Sequence, residues 1–309
     1  MGKNPKAESS ALGCILSGTW TLASLPFWLG AIGLLVVSTT TASKLFAIAL
    51  ICLLPVPLNF LHWRSIRRRI ISVLLLLAGS ISLFLCARQA TGHRDDPDAA
   101  ARVVYENGTS HFSCSPANLV PEIDQCLLGT YLLALIDPNL GWGQAAELRE
   151  NIRNVYADLE KDAELATLPC VLGSAYREMI GLKPTPGILF IYVPEEPGQD
   201  PLEKKPAIVF LHGGLGNFQG CWTLWKRFAD ATGVAIVAPT FGSGNWSGEG
   251  GLEAIEQTRE FCVSHPRIDG ENLILAGIAT GGTGVTLGGR ATPEKWRGLL
   301  FLSPVIEKN

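Results

Sequence analysis

The sequence predicts an α/β domain with a parallel β-sheet and flanking helices, preceded by about three transmembrane helices and a helical linker region. Three observations support this prediction. Long uncharged runs fill most of the first 90 residues, short apolar runs recur from residue 188 onward, and helix-like segments separate the last four of those runs. Continuous apolar strands are typical of a sheet covered on both faces, and strand–helix–strand alternation is typical of parallel pairing.

Composition divides the chain into two kinds of polypeptide. Only 17% of the 309 residues are charged, whereas a typical soluble domain has roughly 25%. Residues 1–94 hold nine Lys/Arg and one Glu, and residues 95–309 hold 16 Lys/Arg and 27 Asp/Glu. The composition excludes a disordered chain, a collagen-like fibre and a small disulfide scaffold. The net charge of −3 also excludes a mostly exposed basic nucleic-acid binder.

Three uncharged runs predict a transmembrane region over residues 1–90. A bilayer core of about 30 Å needs about 20 apolar residues in a helix, and we expect helices near residues 15–37, 45–62 and 70–87. A cleaved signal peptide is the alternative for the first run, although the apolar part of such a peptide has only about 7–15 residues. Pro55 and Pro57 predict a kink in the second run and leave open an interfacial or re-entrant segment there.

Positive charge predicts the orientation in the membrane. The arginine-rich loop at residues 64–69 is the strongest basic cluster and should be cytoplasmic. With three spans, everything after Ala87 is then outside. We therefore expect an integral membrane protein with an extracytoplasmic globular domain and the lipid bilayer as a partner. An outside location permits disulfides, and Cys114 with Cys126 is the expected pair because they flank a Pro-containing segment.

The remaining residues predict a linker with a helical segment over 91–181 and the α/β domain over 182–309. Residues 88–117 are polar and poorly periodic, whereas Ala145–Asp162 alternates charged and apolar residues as an exposed amphipathic helix does. The expected strands are Ile188–Val193, Pro206–Leu211, Val234–Ala238, Leu273–Ala276 and Leu299–Leu302. The expected helices between the last four strands are Trp222–Thr232, Leu252–Ser264 and Gly282–Arg290.

Two glycine-rich turns carry a family resemblance. One is FLHGGLGN at Phe210–Asn217, directly after a predicted strand, and the other is LAGIATGG at Leu275–Gly282, between a predicted strand and a predicted helix. Together they resemble the α/β-hydrolase superfamily of esterases, lipases and peptidases, over roughly residues 185–309. The resemblance implies hydrolysis of a carboxylic ester or peptide without a metal or cofactor. It also implies an ester, acyl or peptide ligand and no nucleic acid.

The second turn corresponds to the family's nucleophile elbow, G-x-S-x-G. Gly277, Gly281 and Gly282 match its small residues, but Ala279 stands at the serine position. A methyl group cannot attack a carbonyl, so the sequence predicts no acyl transfer in the family's manner. Thr280 is the nearest alternative hydroxyl, but shifting the register by one residue would place an isoleucine in the crowded turn.

The first turn corresponds to the family's oxyanion loop. Gly213 and Gly214 allow backbone N–H groups to approach a developing negative charge. By resemblance, the N–H of Gly214 or Leu215 and the N–H of Thr280 are the donors. His212 is expected to be structural rather than a catalytic base.

The sequence departs from the family after the elbow. The family's chain order places an acid and then a histidine after the nucleophile, yet no histidine follows Ala279. The domain stops one strand past the elbow, so we expect an apolar edge strand at Leu299–Leu302. Either the sequence is incomplete and belongs to a longer active hydrolase, or the chain is a decayed or repurposed homologue. The sequence thus predicts a membrane-anchored hydrolase homologue that is inactive as written, with a non-catalytic ligand-binding or protein-interaction module as the alternative.

Overall fold

The computed structural model describes residues 5–61, 65–89, 103–110, 119–182, 188–195, 198, 200 and 203–305. These residues form two compact units. The first unit contains the described residues up to 89 and residues 119–149, and the second contains residues 103–110 and the described residues from 150 onward. The predicted linker and helical segment, residues 91–181, is thus shared between the units.

The first unit begins with apolar helices. They are α1 (Pro5–Val37), α2 (Thr41–Leu53), α3 (Val56–Leu61) and α4 (Ile66–Ala87). Within the described part of the chain, three segments are long and apolar enough to cross a membrane: Gly13–Val37, Thr41–Asn59 and Ile66–Ala87. These segments coincide with the three runs that the sequence predicts.

Pro55 interrupts the second of these segments. The helix breaks between Leu53 and Val56, because proline has no N–H to donate to the carbonyl four residues earlier. The Leu54 N–H still donates to the Leu50 carbonyl at 2.9 Å, and the Asn59 N–H donates to the Pro55 carbonyl at 3.2 Å. The predicted kink is therefore confirmed, with helical structure on both sides of it.

Two more helices follow, α5 (Glu122–Ile136) and α6 (Trp142–Lys161). The amphipathic helix predicted at Ala145–Asp162 is thus present. The Arg149 guanidinium lies 3.9 Å from the centre of the Tyr131 ring and connects the two helices. Cys126 lies on α5, but Cys114 lies outside the described residues, so the expected disulfide stays a prediction.

The second unit is built on a seven-stranded mixed sheet in the order β2-β1-β3-β5-β4-β6-β7. The strands are β1 (Val103–Glu106), β2 (Thr109–Ser110), β3 (Ile188–Tyr192), β4 (Lys205–Leu211), β5 (Ala235–Thr240), β6 (Ile268–Ile278) and β7 (Gly298–Leu302). The helices are α7 (Leu172–Met179), α8 (Trp222–Thr232), α9 (Gly251–Ser264) and α10 (Gly281–Ala291).

The prediction of a wholly parallel sheet is wrong at β3. Strands β4 to β7 are parallel and are connected through α8, α9 and α10, but β3 runs antiparallel to β5, with Phe190 opposite Ala238. Parallel neighbours need a long crossover, which is usually a helix. The described residues between β3 and β4 contain no helix. The chain therefore reverses its direction there, and an apolar run alone does not reveal that reversal.

The assignment of residues 88–117 to a linker is wrong for residues 103–110. Strand β1 pairs with β3, and an Asn107–Gly108 turn connects it to β2. Tyr105 is fully buried, with its ring centre 6.0 Å from that of Trp222. An Asn-Gly pair is a strong hairpin signal, but the polar composition around it favoured a linker.

Both faces of the sheet are buried, as the continuous apolar strands predict. On β4, Val209 and Leu211 belong to the core on one face, and Ile208 and Phe210 belong to the core on the other. Strand β7 lies at the edge of the described sheet. Its residues 299–301 are 38–45% exposed, in agreement with the predicted apolar edge strand.

Candidate active site

The turn between β6 and α10 has the geometry of a nucleophile elbow. Ala279 stands at its tip with φ = 49°, in the left-handed region that costs a residue with a Cβ about 1–2 kcal/mol. Its N–H donates to the Leu302 carbonyl at 3.2 Å, and its carbonyl accepts from the Val305 N–H at 2.7 Å. The end of β7 and the residues after it therefore hold the tip in its strained conformation.

Glycines flank the tip at the places where a side chain would collide. A Cβ on Gly281 would overlap the Leu211 carbonyl oxygen, and a Cβ on Gly277 would overlap the Gly281 carbonyl oxygen. A Cβ on Gly282 would lie 2.5 Å from the Pro304 Cβ. The three glycines predicted for the elbow thus permit the close approach of β4, α10 and the segment after β7.

The loop after β4 lies against this tip. A Cβ on Gly213 would be 3.1 Å from the Ala279 Cβ. The Leu215 N–H donates to the Ser243 carbonyl at 3.1 Å, so this candidate oxyanion donor is already used within the fold. The N–H groups of Gly214 and Thr280 donate to no acceptor among the described residues. These two groups remain as the donors of the predicted oxyanion hole.

His212 serves the fold on both sides of its ring. Its Nε2 accepts from the Phe241 N–H at 3.0 Å, and its Nδ1 lies 2.7 Å from the Gly213 carbonyl oxygen, which requires the proton to be on Nδ1. The Trp246 indole donates to the His212 carbonyl at 2.9 Å. Burial lowers the pKa of His212 to about 4, so the ring is neutral at pH 7. This geometry favours the structural role expected from the sequence.

Two cavities flank the elbow. The apolar cavity has a volume of about 220 Å³, and its lining includes Phe210, Phe218, Cys221, Ile278 and Ala279. The polar cavity has a volume of about 200 Å³, and its lining includes Ser243, Asn245, Ser247, Thr280 and Thr283. The Thr280 hydroxyl oxygen is buried without a hydrogen-bond partner. It belongs to the polar cavity, whereas the Ala279 methyl lies at the apolar one.

The described walls of these cavities contain no group that could activate a nucleophile. No Asp or Glu lines either cavity there, and His212 is the only histidine. Both nitrogens of that histidine are already used. Among the described residues, no group of three His, Cys, Asp or Glu side chains could hold a metal ion. The elbow is therefore formed without the rest of a catalytic triad in this part of the chain.

Sequence reasoning missed two contacts that support the site. The Glu178 carboxylate on α7 accepts from the Ser243 N–H, which holds the loop that in turn receives the Leu215 N–H. The Thr283 hydroxyl donates to the Val305 carbonyl at 3.3 Å, which ties the segment after β7 to α10. The first contact joins residues 65 positions apart, and no local pattern announces it.

Solved structures similar to this chain include serine hydrolases and esterases. A fluorophosphonate-binding serine hydrolase of Staphylococcus aureus is 15% identical over 38% of this chain and 51% of its own, with a TM-score of 0.34. The S-formylglutathione hydrolase of Staphylococcus aureus is 17% identical over 35% of this chain and 47% of its own, with a TM-score of 0.32. An acetyl xylan esterase from Aspergillus awamori is 16% identical over 38% of this chain and 46% of its own, with a TM-score of 0.31.

No protein-family model and no curated protein sequence matches the chain. The chain spans about half the length of these three solved structures. The likeness is one of fold, and it lies in the sheet and the elbow described above. The second unit thus has an α/β-hydrolase type of fold, and it is accompanied by three helices that are long and apolar enough to cross a membrane.

Proposed function

We propose that this chain is a membrane-anchored protein of α/β-hydrolase fold that binds a short-chain carboxylate or acyl group without hydrolysing an ester. One observation carries the proposal. Ala279 keeps the strained tip conformation of an elbow, φ = 49°, although it has no hydroxyl to present. A conformation that costs free energy persists where the surrounding structure enforces it, and such sites are commonly functional.

The chemistry of the tip argues against hydrolysis by this chain. Covalent catalysis needs a nucleophile with a base within hydrogen-bond reach. The Ala279 methyl is no nucleophile, and the neighbouring Thr280 hydroxyl oxygen is buried in the wall of the other cavity. The ring nitrogens of His212 are engaged with Phe241 and Gly213 and cannot accept a proton from the tip.

The same site has what a carboxylate needs. The N–H groups of Gly214 and Thr280 lie at the loop and at the start of α10, where the helix dipole favours negative charge. The apolar cavity beside Ala279 can receive an aliphatic tail. Each methylene buried there contributes about 0.8 kcal/mol, so the affinity should rise from acetate to butyrate.

Membrane anchoring and orientation complete the proposal. Arg67, Arg68 and Arg69 lie in the first turn of α4, and all three are exposed. Arginines at one end of a span favour the cytoplasmic side. The other end of α4, at Ala87, then lies outside, and the globular unit follows it on the extracytoplasmic side.

Butyrate is expected to stabilise the full chain in detergent micelles. At ten times its Kd, a ligand that binds only the folded state adds about 1.4 kcal/mol to the free energy of unfolding. The measurement is the midpoint of thermal unfolding, followed as butyrate is added. Butyramide, which has the same tail without the charge, should give a smaller shift.

Two substitutions to phenylalanine make this experiment specific. Cys221→Phe fills the apolar cavity and should abolish the shift. Leu224→Phe, on the same side of the sheet in α8 but 71% exposed, should keep it. The proposal fails if butyrate does not shift the midpoint of the unsubstituted chain, or if Cys221→Phe leaves the shift unchanged.

A further inference from the structure

Helix α5 carries an apolar stripe that the first unit does not cover. Leu128, Leu132, Leu135 and Ile136 are spaced by four, three and one residues, which places them on one side of the helix. Leu132, Leu135 and Ile136 are 56%, 67% and 75% exposed. No charged residue occurs from Gln125 to Ile136. Surface helices of soluble units do not normally present such a stripe to water.

The beginning of α5 is fixed at the loop between the first two candidate spans. Asp124 is fully buried. Its carboxylate accepts from the Thr39 N–H at 2.7 Å and the Thr39 hydroxyl at 3.0 Å, and from the Thr40 N–H at 3.2 Å and the Thr40 hydroxyl at 2.5 Å. These threonines connect α1 to α2. The helix therefore starts at the level where the two spans leave the apolar layer.

The next contact gives the depth of the stripe. A Cβ on Gly33 of α1 would lie 2.9 Å from the Leu128 Cδ1, so Leu128 packs directly against that glycine. Gly33 lies four residues before Val37, where the span ends. At a rise of about 1.5 Å per residue, Leu128 is about 6 Å inside that end. Interfacial helices bury their apolar face to about 5–10 Å.

We propose that α5 is an interfacial membrane helix whose apolar stripe contacts the lipid acyl chains on the side of the Thr39–Thr40 loop. The inference rests on the membrane anchoring proposed above. Lipid is the occupant because Leu128 begins the stripe on a membrane-spanning helix, and the exposed residues continue from it along the same face. Trp142, 57% exposed at the start of α6, fits this position because tryptophan is enriched at membrane–water boundaries.

Photo-crosslinking tests the proposal in the full chain reconstituted into vesicles of phosphatidylcholine and phosphatidylglycerol. The photo-reactive amino acid benzoylphenylalanine replaces Leu135 in one variant. It replaces Leu22, 74% exposed within the first span, in a second variant, and the exposed Glu260 of α9 in a third. After irradiation, the mass of the chain reports whether a phospholipid or a second protein chain has been attached.

The expected result is a phospholipid adduct at Leu135 with a yield similar to that at Leu22, and none at Glu260. A crosslinked dimer at Leu135 would overturn the inference in favour of a second copy of the chain. Absence of a lipid adduct at Leu135, with one at Leu22, would overturn it while membrane anchoring stands. Absence at both positions would overturn the anchoring and the inference together.

Discussion

Gly281→Ala is expected to destabilise the second unit by about 3 kcal/mol or more, which is at the upper end for overpacking. The added Cβ would overlap the Leu211 carbonyl oxygen. That oxygen belongs to β4, which lies between β5 and β6 in the sheet and has no room to retreat. The measurement is the free energy of unfolding in urea, with the circular dichroism of the full chain in detergent as the signal.

Gly298→Ala is the matched control for this substitution. It adds the same methyl group at the start of β7, where no other atom lies within 4 Å of the built Cβ. The change in the free energy of unfolding should be within about 0.5 kcal/mol. Equal destabilisation by the two substitutions would show that β4 does not approach the elbow as closely as described.

The stability of the second unit is expected to fall by about 3 kcal/mol as the pH decreases from about 7 to 4, through His212 alone. Burial lowers the pKa of this histidine from 6.5 to about 4 in the folded state. Between these values the unfolded chain binds a proton that the folded chain does not. Stability is therefore complete above pH 6.5, is lost as the pH falls, and reaches its full loss near pH 4.

The substitution His212→Gln separates this effect from the titration of carboxylates. Glutamine keeps an acceptor for the Phe241 N–H but cannot be protonated in this range. The variant should be less stable at pH 7, yet its free energy of unfolding should change less with pH than that of the unsubstituted chain. Parallel pH profiles for the two proteins would rule out a buried neutral His212.

The sequence predicted the parts of the fold that depend on local pattern. Residues 205–211 and 235–240 are strands because short apolar runs buried on both faces have few alternatives, and Pro55 breaks the second span because it has no N–H. The direction of β3 could not be predicted, because an apolar run has the same composition in either direction. The hairpin at residues 103–110 was obscured by the polar residues around it.

The site was predictable as far as its backbone is concerned. Three glycines and Ala279 identified the elbow before any geometry, because a tight strand-to-helix turn tolerates few residue types. The contacts that select among the oxyanion donors could not be predicted. The bond from the Leu215 N–H to the Ser243 carbonyl joins two loops, and the bonds of Asp124 cross 84 or 85 positions. Such contacts arise only when the chain has folded.

Hydrolysis of p-nitrophenyl butyrate by the purified full chain tests the central claim most directly. With a methyl group at the tip and no base in the described cavities, the account predicts release of p-nitrophenol no faster than in buffer, while butyrate still stabilises the protein. Saturable turnover that Cys221→Phe abolishes would contradict the account. It would show that this cavity is the site of a reaction that does not need a nucleophile at Ala279.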